Sequence, residues 1–155
     1  MKAAVVEEPG DYDAIRIKHD LSIPSPGPNQ VVIQNHYSGV NYIDTYHRDG
    51  TYPVPLPVTL GREGSGIVSA VGAGTEGEFA VGDRVTYIGS GSYAEYTAVN
   101  ALHVIKLPPE ISFEQGAASL LQGTPSAMVA RQVPPWAMAH TLSPAARHDG
   151  HISGL

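Results

Sequence analysis

Apolar residues come in short runs, many β-branched or alternating with polar neighbours, and turn-forming residues separate the runs. This period of two predicts strands near 2–7, 14–18, 30–37, 65–71, 83–88, 92–99 and 102–107. Short strands at such intervals predict a mainly β fold, a barrel or a sandwich, rather than alternating strands and helices. Two connections, Pro24-Ser25-Pro26-Gly27-Pro28 and Tyr52-Pro53-Val54-Pro55-Leu56-Pro57, read as loops, because proline lacks an amide donor and fixes φ.

Helical signals are fewer. Asn41 to His47, just after Gly39, is compatible with a short helical turn. Ser112 with Gln115 three residues later forms a capping-box signature ahead of Gly116-Ala117-Ala118-Ser119-Leu120-Leu121. Beyond Gly123, Pro125, Pro134, Pro135 and Pro144 interrupt the chain and no apolar period persists. The expected organisation is one domain over 1–123 and an irregular or disordered tail over 124–155.

Composition narrows the partners. Charged residues make up 15% of the 155 positions, against roughly a quarter in average globular proteins, and 17 Gly and 13 Pro favour turns. The formal charge is −6 and the nine Lys and Arg stand singly, so neither nucleic acid nor an anionic membrane is an expected partner. The absence of cysteine removes disulfides, thiolate metal ligands and thiol nucleophiles. Neither a secretory leader nor a membrane span is recognisable, so the cytoplasm is the expected compartment.

Several strings invite a chemical reading. Gly72-Ala73-Gly74-Thr75-Glu76-Gly77 has dinucleotide-fingerprint spacing, but it leads into a strand-like run where that chemistry needs a helix, so a hairpin loop is expected. Gly64-Ser65-Gly66 lacks the spacing of a serine-hydrolase elbow. His140, His148 and His151 lack a carboxylate framework, and no metal is expected there. Asn41 and Asp44 at i, i+3, with Tyr46 close behind, suit either a capped surface turn or a polar site on one helical face.

Gly39-Val40-Asn41-Tyr42-Ile43-Asp44-Thr45-Tyr46, Leu60-Gly61-Arg62-Glu63-Gly64-Ser65-Gly66-Ile67-Val68, Val81-Gly82-Asp83-Arg84-Val85 and Ser92-Tyr93-Ala94-Glu95-Tyr96 occur in this order. Together they resemble the zinc-free quinone oxidoreductases of the medium-chain dehydrogenase/reductase superfamily, over residues 1 to about 123. The resemblance implies a GroES-like, partly open β-barrel as catalytic domain, normally joined to a Rossmann domain that holds NADPH. In zinc-dependent members of the superfamily, the positions of Asn41 and Arg62 carry a Cys and a His that bind the metal, so zinc is not expected here. Asn41, Tyr46 and Asp44 are the implied catalytic residues, with Asn41 and Tyr46 also beside the nicotinamide, and Tyr52 is a candidate wall of the acceptor pocket. Asn41 and Tyr46 are expected to donate hydrogen bonds to the oxygen of a quinone or enone as charge develops on it.

The family pattern fades after Gln122-Gly123-Thr124, which is one residue short of the string that touches NADPH in relatives. The residues beyond Thr124 are too few for several βαβ units of about 30 residues each. The Rossmann domain, and with it most of the NADPH site, is expected to be missing from this sequence. A truncated, spliced or frame-shifted form, inactive alone, is therefore the leading expectation. The alternative is a non-catalytic GroES-like binding or assembly module, which would form a homo-oligomer or recruit a partner over the exposed interdomain surface.

Overall fold

The computed structural model describes residues 1–132, with side chains described to residue 123. The chain divides into two compact units, Met1–Gln122 and Gly123–Leu155. His140, His148 and His151, and the part of the expected tail after Gln132, lie outside the described residues.

The spine of the first unit is the ten-residue strand β3 (Gln30–Gly39). Val31, Val32 and Ile33 are buried in succession, which the pattern of a strand covered on both faces requires. Strands β5 (Glu63–Val71), β6 (Arg84–Ile88), β7 (Tyr96–Asn100) and β8 (Val104–Lys106) complete an antiparallel sheet in the order β7-β3-β5-β6-β8. A second sheet, β2-β1-β4, is built from β1 (Ala3–Val6), β2 (Ile15–Lys18) and β4 (Val58–Thr59). The core joins Val31, Ile33, Val68, Phe79, Val85, Tyr87, Val99 and Val104. Burial of each such side chain contributes about 1.5–3 kcal/mol.

The sheets meet edge to edge without closing. Ala4 donates its N–H to the Tyr93 carbonyl at 2.8 Å, Leu60 to Ala4 at 3.1 Å and Tyr93 to Leu60 at 2.9 Å. The described residues therefore form the expected mainly β, partly open GroES-like architecture, with two α-helices among them. A register shift between Asn35 and Tyr37 against β5 lets β3 bend where it approaches the site. No helix of the described residues is long and apolar enough to cross a membrane.

Some strands start later than the sequence pattern suggests. Residues 92–95 do not open β7; they cross to β1 through the Ala3–Ala94 bridge. Asn100 caps a one-turn 3-10 helix, Ala101–His103, that delays β8. The string Gly72 to Gly77 is a hairpin connection between β5 and β6, as expected, with the buried Thr75 hydroxyl donating to the Gly72 carbonyl at 2.7 Å.

Helix α1 (Tyr42–Asp49) begins at Asn41 and stops at Gly50, whose φ of 84° supplies the left-handed cap. Helix α2 (Phe113–Gln132) opens with the reciprocal box foreseen from sequence: Ser112 N–H to Gln115 Oε1 at 3.0 Å, and Gln115 N–H to Ser112 Oγ at 3.3 Å. It then runs through Pro125 to Gln132, past the point where irregular chain was expected. A proline removes one amide donor but does not oblige the helix to stop, and the pattern argument gave it too much weight as a terminator.

Candidate functional site

The site forms where the end of β3 turns into α1. Asn41 keeps an extended backbone (φ −125°, ψ 150°), so its N–H points away from the helical ladder. That N–H donates to Asp44 Oδ2 at 2.9 Å, and Asp44 N–H returns to the Asn41 carbonyl at 3.0 Å. An acid at the third helical position thus ties the first turn and complements the helix dipole. The i, i+3 pair noticed in the sequence is real, and it is a cap.

It is more than a surface cap, because Asp44 is only 4% exposed. Its Oδ2 also accepts from the Tyr93 hydroxyl at 2.7 Å, while Oδ1 is buried with no hydrogen-bond partner among the described residues. Burial, then the hydrogen bond to Asp44, then the negative charges of Asp44 and Glu63 push the Tyr93 phenol well above its ordinary value near 10. Tyr93 therefore stays a protonated donor at neutral pH.

The Asn41 side chain is fixed from the other direction. Its Nδ2 donates at 2.8 Å to Oε1 of Glu63, which is 2% exposed. The second oxygen of Glu63 accepts from the Leu121 N–H in α2, also at 2.8 Å. Gly39 makes this close approach possible: a Cβ there would lie 2.5 Å from Glu63 Oε1 and 2.6 Å from the Ala117 carbonyl. Asn41, Asp44, Glu63 and Tyr93 form one connected polar cluster around the start of α1.

Tyr46 lies further along α1, and no hydrogen bond among the described residues joins it to Asn41 or Asp44. Its ring packs edge-on against Tyr42 (centroids 5.2 Å apart, 82° between planes) and at a tilt against Tyr52 (4.9 Å, 54°). The Tyr52 N–H donates to the Tyr46 carbonyl at 3.0 Å, which brings the Pro-rich loop back to the helix. Tyr42 and Tyr52 are 75% and 50% exposed, so the three rings make an open aromatic shelf along α1, the helix that Asn41 caps. Arg62, next to Glu63, extends away to donate to Ser90 Oγ at 2.7 Å.

Gln122 and Gly123 are exposed on α2; Thr124 is in the same helix, and its side chain lies outside the described residues. Glu63 and Tyr93 were not singled out as site residues, although both sit in strings that carry the family resemblance. Their contacts with α1 cross 22 and 49 residues, so no local spacing signals them.

Residues 27–109 match the alcohol dehydrogenase GroES-like domain. The chain belongs to that family. It is 50% identical over 102 residues to a probable quinone oxidoreductase of Schizosaccharomyces pombe, covering 65% of this chain and 31% of the relative. With a human quinone oxidoreductase the identity is 41% over 123 residues, 76% of this chain and 37% of the relative. The Escherichia coli quinone oxidoreductase solved in complex with NADPH superposes with a TM-score of 0.80 at 36% identity, over 85% of this chain and 41% of that one. A Pseudomonas syringae quinone oxidoreductase gives 0.78 at 40%, over 84% and 41%. The chain thus spans only 31% to 37% of these curated relatives' own length.

Proposed function

We propose that residues 1–122 form the acceptor-facing half of an NADPH-dependent reductase of quinones or similar conjugated carbonyls. The observation that carries this reading is the aromatic shelf of Tyr42, Tyr46 and Tyr52 along the helix that Asn41 caps, with the Asn41 backbone N–H held by Asp44 and its side-chain amide by Glu63. Flat π faces suit a flat, electron-poor ring. Tyr46 is the donor for acceptor oxygen as charge collects there, Asn41 orients the reacting rings, and Tyr52 walls the shelf. Asp44, with its Oδ2 already engaged by Asn41 and Tyr93, acts through position.

The donor set does not fit zinc. Asn41 directs its amide nitrogen at Glu63, and the Arg62 guanidinium is a donor with no lone pair to offer. The fit to NADPH is partial. Asn41 and Tyr46 suit the nicotinamide end, with Gln122, Gly123 and Thr124 further candidates on α2. Among the described residues there is no strand–helix–strand phosphate loop, since Gly72 to Gly77 connects a hairpin. When bound, NADPH supplies the hydride; this chain's part is to seat and polarise the acceptor.

By this reading the 155-residue chain binds an acceptor but does not oxidise NADPH. Addition of 1,4-naphthoquinone to the ¹⁵N-labelled chain should give saturable shifts at Asn41, Tyr46 and Tyr52, weakened at least about tenfold in Tyr46→Ala. A folded chain with no saturable shift on α1 would sink the proposal. NADPH oxidation by the pure chain would show that it holds a complete cofactor site and would overturn the division of labour.

A further inference from the structure

Glu63 lies in β5, outside the segment that the sequence marks as the site, yet it joins the Asn41 side chain to α2. Its two oxygens take one N–H each, from the Asn41 side chain and from the Leu121 backbone, partners 22 and 58 residues away in opposite directions. A carboxylate buried to this degree is stable only while such donors are supplied. The same two N–H groups are held at a fixed separation by one rigid planar group.

We infer that Glu63 is a positioning residue that sets the Asn41 amide in register with α2. The inference rests on the reading of Asn41 as part of the acceptor site. Because Glu63 accepts on both sides, it turns the nitrogen of the Asn41 amide toward β5 and fixes which end of that amide is left over. Gly39 lets the three elements meet with no side chain between them. Whatever engages Asn41 is then coupled to the seating of α2, and by linkage the seating of α2 is coupled to that ligand.

Other contacts hold the start of α2 independently. Ser65 Oγ donates to the Phe113 carbonyl at 2.6 Å and Thr86 Oγ1 to the Gly116 carbonyl at 2.8 Å. The Arg84 guanidinium also lies over the Phe113 ring, 4.7 Å from its centroid. A change at Glu63 therefore acts on the coupling while the helix stays docked.

Glu63→Gln keeps shape and volume but has a single oxygen, so it can accept from one of the two donors and turns an NH₂ toward the other. In ¹⁵N spectra of the full chain, the reporters are the Asn41 side-chain amide and the Leu121 backbone amide, with Val31 and Val99 of the central sheet as controls. At least one reporter should lose its hydrogen-bonded shift and exchange at least about tenfold faster, with the controls unmoved. Neither reporter moving, or a change shared equally by Val31 and Val99, overturns the inference. Should Glu63→Gln fail to fold, Asn41→Ala provides the second reading: a shifted Leu121 amide over unmoved controls supports the coupling, and an unmoved Leu121 overturns it. No quinone is needed, so failure of the acceptor titration and failure of this test are separate results.

Discussion

The hairpin connection between β5 and β6 and the corner between β3 and α1 both use carboxylates to satisfy backbone N–H groups. In the connection, Glu76 accepts from Gly74 N–H at 2.7 Å, and Asp83 accepts from Ala80 N–H at 2.9 Å and from Lys106 Nζ at 2.8 Å. These backbone bonds span two or three residues and face water. At the corner, Asp44 and Glu63 are 4% and 2% exposed, and their contacts with Asn41, Tyr93 and Leu121 bring together distant parts of the chain. Water readily replaces a lost partner in the first region and reaches the two buried acids of the second far less. The same acceptor chemistry shapes a turn in one place and ties distant segments into one polar cluster in the other.

The comparison breaks first at Glu63. Glu63→Ala removes the side-chain acceptor of two half-buried N–H groups and should cost about 3 kcal/mol in urea unfolding. A loss below about 1 kcal/mol would place the corner in the same class as the connection. Next comes alkaline pH. Burial raises the Tyr87 phenol to about 12, despite its hydrogen bonds to Thr97 and Asn35. The unfolded phenol ionises near 10, so the stability it contributes is whole below pH 10 and falls as pH rises toward 12, by about 3 kcal/mol at the limit. Tyr87→Phe should flatten that slope. Tyr93, also shifted upward, should add to the loss from the same starting point.

Tyr93→Phe sharpens the contrast by removing only the hydroxyl donated to Asp44, and about 2 kcal/mol of destabilisation is expected. The matching change in the connection, Asp83→Asn, should cost at most about 1 kcal/mol. Lys106 first, then the Ala80 N–H, hold the Asp83 carboxyl below its ordinary value near 3.8. Its contribution is present above that value and disappears as pH falls through the lower folded one. Glu76→Gln, at the most exposed of these carboxylates, should leave the unfolding midpoint unchanged.

Much of the sheet was legible because short runs rich in β-branched residues have few other solutions, whether continuous as in Val31 to Ile33 or mixed with polar residues as in Arg84 to Ile88. Strand β4 was not: two residues, Val58 and Thr59, give no period, and the Pro-rich run before them reads as loop. The starts of β7 and β8 were placed too early because Ser92–Glu95 and Ala101–His103 have strand-like composition but pair or turn otherwise. Within the site, Asn41 and Asp44 stood out through helix-cap spacing, which is local chemistry. Glu63 and Tyr93 did not, since a buried acid in a strand and a tyrosine in a loop acquire roles only when the sheet brings them to α1. The tilted packing of Tyr46 against Tyr52 was likewise hidden by the loop between them.

Gly39 carries a consequence at the level of the gene. A glycine codon altered by one base, when it changes the amino acid at all, always specifies one with a Cβ. At this position that carbon has no space between Glu63 Oε1 and the Ala117 carbonyl. Every missense neighbour of this codon therefore disturbs the same meeting of strand, acid and helix. Random mutagenesis should recover Gly39 unchanged among stable variants far more often than its partial exposure suggests.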